Sequence, residues 1–224
     1  MEKLYIGGHT VYIKKPKHSL NVKSKPAIIV NDGDLISKLE ICCTKSFLVG
    51  IVPNDRLLEY TPWKEKAIRT GTPNFGGGLD EYSKILLNTI IPTLQKEYNL
   101  DSKRIAYGGF SLGGLAAVMS LWQTSYFHWI FSICGSFWYP GIVEYIQTNQ
   151  VQNTNAEVFL LNGMKEGNLH TNRLKDASTY AKKVHQILEQ RLDATTVMDK
   201  YAHHEQKEQR FQQAIDWLDE KILL

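Results

Sequence analysis

The stretch RIAYGGFSLGGLAAVMSLW, residues 104–122, contains the signal that decides the fold. A short β-prone run at residues 104–107 leads into GGFSLGG, and an apolar run rich in Ala and Leu follows at residues 115–122. Residues 109–113 match the pattern G-x-S-x-G, in which a sharp turn between a strand and a helix lifts a serine above the sheet. The stretch therefore predicts a nucleophile elbow with Ser111 at its tip.

The glycines of this pattern have a steric role. A side chain two residues before or after the serine would collide with the neighbouring strand or helix, so Gly109 and Gly113 are predicted to make room for the turn. The following helix points its first N–H groups at the same place. We therefore expect the backbone N–H of Leu112 to serve as one donor of an oxyanion hole.

Outside the elbow, short apolar strands alternate with helical segments. Strand patterns fall at residues 26–30, 46–52, 129–134, 157–161 and 195–201, and helical patterns fall at residues 34–43, 79–98, 173–192 and 205–223. Residues 4–6 and 10–13 form a hairpin pattern around two glycines. The alternation predicts a three-layer α/β fold: a mostly parallel central sheet with an antiparallel N-terminal hairpin and helices on both faces. No linker divides the chain, so residues 1–224 are predicted to form a single domain, with residues 137–155 as a candidate cap segment.

A serine hydroxyl needs a base, and the base needs an acid to orient it. In a parallel α/β sheet these partners are expected beyond the carboxyl ends of the strands, in the order Ser, Asp or Glu, His. Glu166 is the first carboxylate after the strand at residues 157–161 and is predicted to be the acid. Asp176 and Asp199 are less favoured, because each falls inside a helix or strand pattern.

The base is predicted near the C-terminus. His203 and His204 directly follow the strand pattern at residues 195–201 and precede the last helix, so one of the two is predicted to take the proton from Ser111. The other histidines precede the serine or fall at positions that fit this role less well.

Two further sets of residues are candidates for binding. The loop N31-D-G-D34 follows the first long strand. A glycine permits close approach of the backbone to a substrate, so the N–H of Gly33 or Asp34 is predicted as the second oxyanion donor. Arg56 follows another strand and either binds an anionic substrate group or forms a structural ion pair, two roles that both remain open. The same holds for a set of aromatic residues, which line a substrate pocket or pack in the core: Tyr60, Trp63, Phe137, Trp138 and Tyr139.

Composition limits the other function classes. The chain carries 26 basic and 23 acidic residues, a formal charge of +3 that is too weak to indicate nucleic-acid binding. It contains no run of 18 apolar residues and no apolar N-terminal signal, so a cytoplasmic protein without a membrane span is predicted. Cys42, Cys43 and Cys134 match no zinc or haem spacing and are expected to be reduced thiols; we expect no metal and no cofactor.

Together these residues resemble the esterase branch of the α/β-hydrolases, which includes enterochelin esterases and esterase-D-like enzymes. The matching stretches cover most of the chain: residues 31–34 (NDGD), Arg56 with residues 59–63 (EYTPW), and residues 76–78 (GGG), 108–114 (GGFSLGG), 134–138 (CGSFW), 163–167 (GMKEG) and 203–205 (HHE). Generic lipases do not share the YTPW and GSFW segments. Two departures are that Cys134 stands where the family usually has a serine, and that the tryptophan often found just after the histidine is missing.

The resemblance implies a cofactor-free ester hydrolase with a Ser111–Glu166–His triad, and the local match of residues 203–205 favours His203 over His204. It implies a small-molecule ester as substrate, with a ferric siderophore lactone as a specific candidate. The alternatives are an acyltransferase of the same fold, disfavoured because the transferases of this branch are exported, and a catalytically silent binding protein. The oligomeric state does not follow from the sequence.

Overall fold

A computed structural model describes residues 1–17, 23–39, 41 and 45–222 of the chain. The strands are β1 (Glu2–Ile6), β2 (His9–Lys14), β3 (Lys25–Asn31), β4 (Phe47–Val52), β5 (Lys64–Glu65), β6 (Phe75–Gly76), β7 (Leu100–Phe110), β8 (Trp129–Ile133), β9 (Glu157–Gly163) and β10 (Asp193–Asp199). The α-helices are α1 (Gly33–Lys38), α2 (Arg56–Glu59), α3 (Leu79–Ile85), α4 (Ile91–Tyr98), α5 (Leu112–Met119), α6 (Ile142–Thr148), α7 (Ala177–Glu189) and α8 (Lys207–Lys221). None of the helices in these ranges is long and apolar enough to cross a membrane.

The main sheet has eight strands in the order β1-β2-β4-β3-β7-β8-β9-β10. Neighbours pair in parallel along β4, β3, β7, β8, β9 and β10, whereas β1 pairs with β2 and β2 pairs with β4 in antiparallel register. Strands β5 and β6 form a separate two-stranded antiparallel sheet. The predicted fold class is therefore confirmed, including the N-terminal hairpin. Because the parallel strands all end at one edge, the loops that follow β3, β7, β8, β9 and β10 meet there.

Both faces of the sheet are covered, and the strand side chains alternate between two cores. In β7, Ile105 and Tyr107 pack into the core formed with α3, α4, α5, α6 and α7, whereas Ala106 and Phe110 pack into the core formed with α1 and α8. Strands buried on both faces need apolar residues at nearly every position, which explains runs such as residues 26–30. The sheet is thus a rigid support for the loops at its carboxyl edge.

Two helices differ from their predicted form. The helix predicted over residues 34–43 is α1, Gly33–Lys38, and its N-cap position is Asp32, whose φ of 59° sets a left-handed turn before the helix. Cys42 and Cys43 lie outside the described residues. The predicted helix over residues 79–98 is present but contains a π-helical turn at Leu86–Ile90, just before Pro92. Proline lacks an N–H and its ring clashes with an ordinary α-helical turn, so the wider turn relieves that conflict.

Candidate active site

Ser111 lies at the turn between strand β7 and helix α5. Its φ of 57° and ψ of −117° form a conformation that residues other than glycine rarely adopt. The turn is held because the Ser111 N–H donates to the carbonyl of Ile133 (2.9 Å), and its own carbonyl accepts from the N–H groups of Leu115 (2.9 Å) and Ser136 (3.1 Å). Strain of this kind costs on the order of 1–3 kcal/mol and persists only where the surroundings over-determine it.

The two glycines of the elbow are required for close packing, as predicted. A Cβ atom at Gly109 would lie 2.7 Å from the carbonyl carbon of Gly113 and 2.9 Å from the Cβ of Asn31. A Cβ at Gly113 would lie 2.8 Å from the same Asn31 atom. Any side chain at these positions would push strand β7, helix α5 and strand β3 apart, and the serine would lose its position.

A serine, a histidine and a carboxylate meet at this turn. His203 Nε2 lies 3.0 Å from Ser111 Oγ, and His203 Nδ1 lies 2.8 Å from Glu166 Oε2. The three residues come from the loops after β7, β9 and β10, the strand ends where the sequence placed them. Nucleophile, base and orienting acid are all within hydrogen-bond distance, which is the arrangement that activates a serine for attack on a carbonyl.

The Glu166 carboxylate is buried and heavily hydrogen-bonded. Its Oε1 accepts from the Gly163 N–H (2.6 Å) and from Asn162 Nδ2 (3.2 Å), while Oε2 faces His203. Burial works to raise the pKa of Glu166, but the hydrogen bond and charge of His203, together with the Gly163 N–H, outweigh it, and the pKa lies below its usual value. Glu166 is therefore ionised at neutral pH and oriented toward the imidazole.

The other candidates for acid and base lie differently. Asp199 is bound by Arg210, whose Nε and Nη2 lie 2.7 and 2.5 Å from its two oxygens, and Asp176 is exposed. The His204 ring packs edge-on to the His203 ring at 4.7 Å between centroids and faces the cleft, and it forms no hydrogen bond with Ser111 or Glu166. Partial burial, and then the charges of His203 and Lys207, lower the pKa of His204.

A buried relay that the sequence analysis missed lies behind Glu166. Asn162 donates its amide to Glu166, so its carbonyl oxygen faces His185, whose Nε2 donates to it across 3.0 Å. Asn162 is fully buried and His185 is 3% exposed. Burial lowers the pKa of His185 to about 4, so the ring is neutral at neutral pH, and its Nδ1 has no hydrogen-bond partner in the described part of the chain. Asn162 is the penultimate residue of strand β9, and this position near the strand end is the sequence signal that could have identified it.

Arg210, from helix α8, holds the histidine loop from the other side. Its buried guanidinium binds Asp199, the carbonyl of Ala202 (3.0 Å) and the sulfur of Cys134 (2.9 Å). Cys134 is a free, buried cysteine, and burial raises its thiol pKa well above the usual range. The arginine thus ties the start of α8 to the ends of β8 and β10, and so fixes the loop that carries His203.

Ser136 is a further residue without a predicted role. Its Oγ lies 3.1 Å from Ser111 Oγ, and its N–H binds the Ser111 carbonyl. The residue is fully buried. It belongs to the quoted CGSFW segment after β8, so the rule that functional residues follow strand ends could have identified it.

Two cavities meet at Ser111. The first, about 450 Å³, is enclosed by side chains from residues 56–75 and 166–177 together with Trp138. Its apolar walls include Leu57, Ile68, Phe75, Trp138 and Leu174. The second, about 410 Å³, lies between the loops after β3 and β4 and the start of α8. Arg56, Ser111 and His204 line both cavities.

Of the aromatic candidates, Trp138 lies on the wall of the first cavity, whereas Tyr60, Phe137 and Tyr139 are buried in the core and Trp63 packs against it. Trp138 is also the one residue of the candidate cap segment, 137–155, among the described residues that line either cavity. Helix α6 of that segment turns Ile142 and Ile146 into the core. The cover over the first cavity comes mainly from residues 68–75 and 166–177, which the sequence analysis did not predict to be a cover.

Arg56 forms a structural ion pair, which is one of its two predicted roles; binding of an anionic substrate group stays a prediction. Its Nε and Nη2 bind the two oxygens of Asp32 at 2.7 and 3.0 Å, and Nη2 also donates to the carbonyl of Phe110 at 3.1 Å. The side chain is 34% exposed and reaches both cavities. The ion pair thus shapes the loop next to Ser111 and leaves part of the guanidinium facing the cleft.

Gly33 has a different reason for being glycine than the one predicted. A Cβ there would lie 2.3 Å from the carbonyl carbon of Gly50, so the residue permits close packing of α1 on strand β4 rather than approach to a substrate. Within the described part of the chain, Gly33 lines neither cavity, whereas Asp34 lines the second.

Three side chains of types that often bind metal ions lie close together. Cys134, Glu166 and His203 each have a potential ligand atom, and these atoms lie within 4.8 Å of one another. Each already has a hydrogen-bond partner, and the Arg210 guanidinium contacts the Cys134 sulfur. A cation at this point would be repelled by Arg210 and would break the contact between Glu166 and His203. The geometry favours the hydrogen-bonded arrangement.

Comparison with known proteins identifies the family. Residues 9–217 match the family described as "Putative esterase". A relative from Bacillus subtilis (strain 168), "Uncharacterized protein YbbA", is 29% identical over 228 residues, 93% of this chain and 91% of the relative. An IroE-like serine hydrolase from Shewanella oneidensis superposes with a TM-score of 0.75 at 16% identity, covering 92% of this chain and 74% of that one. The siderophore hydrolase EstB from Aspergillus nidulans has a TM-score of 0.67 at 18% identity, covering 94% and 90%. The family match spans nearly the whole chain, which therefore belongs to this esterase family and is a carboxylic ester hydrolase.

Proposed function

We propose that the protein hydrolyses esters through a Ser111–His203–Glu166 triad and a covalent acyl-enzyme. The observation that carries this proposal is the continuous pair of contacts, 3.0 Å from Ser111 Oγ to His203 Nε2 and 2.8 Å from His203 Nδ1 to Glu166. Family membership supports the reaction class, and the buried acid supports the assignment of roles.

The first half of the reaction forms the acyl-enzyme. His203 Nε2 takes the proton from Ser111 Oγ as the oxygen attacks the ester carbonyl, and Glu166 stabilises the resulting imidazolium. Negative charge then develops on the carbonyl oxygen. The Leu112 N–H, at the start of α5, is the proposed first donor to it. The loop at residues 32–34 is the proposed source of the second, and the cavity-lining position of Asp34 supports its N–H over that of Gly33.

Collapse of the tetrahedral intermediate breaks the bond between the carbonyl carbon and the alcohol oxygen, and the imidazolium gives its proton to the leaving alcohol. In the second half, His203 takes a proton from water as the water oxygen attacks the acyl carbon. The bond from that carbon to Ser111 Oγ breaks, and the proton returns to the serine. The products are a carboxylic acid and an alcohol.

We propose a siderophore-type ester or lactone as the substrate class. EstB, which has a similar fold, is described as a siderophore hydrolase, and the two cavities at Ser111 provide room for bulky groups on both sides of an ester. The apolar and aromatic wall formed by Phe75, Trp138 and Leu174 fits an aryl group better than a short acyl chain.

The test is hydrolysis of 4-nitrophenyl butyrate and of a siderophore trilactone by the wild type and by Ser111→Ala. We expect turnover of both by the wild type and a loss of about 10⁴-fold or more in kcat for the variant. Absence of hydrolysis by the wild type, or equal rates for the two proteins, would contradict the mechanism. Turnover that requires an added alcohol acceptor would identify an acyltransferase instead.

A further inference from the structure

The second cavity is a separate arm of the site, with Ser111 at the junction. It shares Arg56, Ser111 and His204 with the first cavity, and its other walls come from residues 32–35, 52–53, Phe110 and Lys207. An ester carbonyl has two substituents. Two cavities of 450 and 410 Å³ that meet at the proposed nucleophile can therefore each hold one half of a substrate.

The second cavity is lined by two acids, Asp32 and Asp34, and two bases, Arg56 and Lys207, but these four are not paired with one another throughout. Asp32 is bound through both oxygens to Arg56, and Asp34 is bound by Lys38 at 3.3 Å. Lys207 has no carboxylate within ion-pair distance among the described residues. Its ammonium lies 5.1 Å from the centre of the Phe110 ring, and the side chain is half-buried. Among the described residues, Lys207 is therefore a cation on the wall of this cavity without a carboxylate paired to it.

The position of Lys207 brings that charge close to the reacting groups. The Phe110 ring under its ammonium also packs against the rings of His203 (4.9 Å) and His204 (6.0 Å). The charges of Lys207 and Arg56 are among the causes, after burial and the charge of His203, that lower the pKa of His204. Lys207 and Arg56 thus place two cations on the wall of the cavity that Ser111 and His204 also line.

The first cavity shares Arg56 and has one further cation, Arg69, in another setting. Arg69 lines it from an exposed position in the loop at residues 66–74, where water screens its charge. Much of the remaining wall of that cavity is aromatic or aliphatic, as at Phe75, Trp138 and Leu174. The two arms thus differ in the chemistry that they present to a ligand.

We propose that the second cavity binds the half of the ester that carries an anionic group, a carboxylate or a group of similar charge, and that Lys207 determines this specificity. The inference rests on the proposed ester hydrolysis at Ser111. The first cavity then holds the apolar or aromatic half. The expected substrates are esters with an anion on one side only of the scissile bond.

The experiment uses two matched pairs of substrates, because the anion can belong to either half. One pair places it on the acyl half: 4-nitrophenyl hemisuccinate and its neutral succinamate. The other pair places it on the alcohol half: the benzoate ester of glycolate and that of glycolamide. The quantity measured is the ratio of kcat/KM for the carboxylate member to kcat/KM for the amide member.

We expect the wild type to prefer the carboxylate member of one pair by about tenfold, and Lys207→Met to abolish that preference. Lys207→Glu should invert it, and raising NaCl from about 0.05 to 0.5 M should weaken it in the wild type. Lys200→Met is the matched control, since Lys200 also lies over an aromatic ring, that of Tyr201, but lines neither cavity; its ratio should equal that of the wild type.

A ratio near one in the wild type for both pairs, or a ratio unchanged in Lys207→Met, would overturn the inference while ester hydrolysis stands. A ratio that moves with Arg69→Gln and not with Lys207→Met would place the anion in the first cavity and would also overturn it. Failure of the proposed function looks different: none of the four esters would be hydrolysed, or hydrolysis would persist in Ser111→Ala. Circular dichroism of each variant separates loss of binding from loss of folding.

Discussion

The two sides of the proposed triad are built differently. Behind Glu166, the side chains of Asn162, His185 and Arg210 are buried, and each of them has a hydrogen-bond partner. In front of Ser111, the walls of the first cavity come largely from loops that include exposed residues such as Arg69 and Pro73.

This difference separates two tasks. The buried side orients the acid and base, and a polar group removed there leaves its partner unsatisfied without access to water. The open side selects the substrate, and loops tolerate change there because water can replace a lost contact. Substitutions on the buried side should therefore act on kcat, and substitutions on the open side should act on substrate preference.

The largest expected effect separates the two adjacent histidines. His203→Ala should lower kcat by about 10³-fold or more, because the proton acceptor for Ser111 is removed. His204→Ala should lower it far less, because His204 faces the cleft but does not contact Glu166. Steady-state kinetics with a 4-nitrophenyl ester measure both. The reverse ranking would assign the base to His204.

A smaller loss is expected for Glu166→Gln, about 10²-fold or more in kcat. Three donors converge on this carboxylate, from Gly163, Asn162 and His203, and a glutamine offers only one oxygen to accept them. Either a donor is left opposite an NH₂ group or the side chain turns away from His203. Activity within a few-fold of the wild type would contradict the role of Glu166.

The relay behind the acid should have a moderate effect. Asn162→Leu removes the amide that joins Glu166 to His185, and we expect kcat to fall about tenfold while KM changes little. Asn153→Leu is the matched control, because Asn153 is also buried and donates one hydrogen bond, to the Phe127 carbonyl. Equal losses in the two variants would show that the effect is one of general stability.

The last prediction concerns stability against pH. An unfolded histidine has a pKa near 6.5, whereas that of folded His185 is about 4, so between these values the unfolded chain binds a proton that the native protein does not. The contribution of the neutral His185 ring to the free energy of unfolding is fully present above pH 6.5 and is lost as the pH falls toward 4. Between pH 7 and pH 5 this amounts to about 2 kcal/mol.

Urea denaturation of the wild type and His185→Gln at pH 7 and pH 5 measures this contribution. The free energy of unfolding should fall less for the variant than for the wild type over this interval. Equal falls in the two proteins would mean that His185 takes up a proton as readily in the folded state as in the unfolded one.

Sequence patterns predict the three residues of the proposed triad because strand ends can be identified from local sequence. Ser111 is the serine of a G-x-S-x-G turn. Glu166 is the first carboxylate after one apolar strand, and His203 is the first histidine after another. Periodicity and chain order are therefore enough to predict all three at one edge of the sheet. The fold class followed from the same alternation.

The parts that were not predicted depend on contacts between distant segments. The sequence predicts that Gly33 lets the backbone approach a substrate, but its close neighbour is Gly50 in strand β4. The hydrophobic pattern does not specify how that strand pairs. His185 lies in the middle of α7 and reaches Asn162 only because that helix packs against strand β9. The loops that cover the first cavity have no periodicity from which their path could be inferred.

The most direct test of the account is to map the site of a fluorophosphonate adduct by peptide mass spectrometry. One phosphonyl group on Ser111 of the wild type is predicted, with slow labelling of His203→Ala and labelling of His204→Ala at a rate close to that of the wild type. An unlabelled wild type, or an adduct on another residue such as Ser136, would contradict the central claim that Ser111 is the nucleophile and His203 its base.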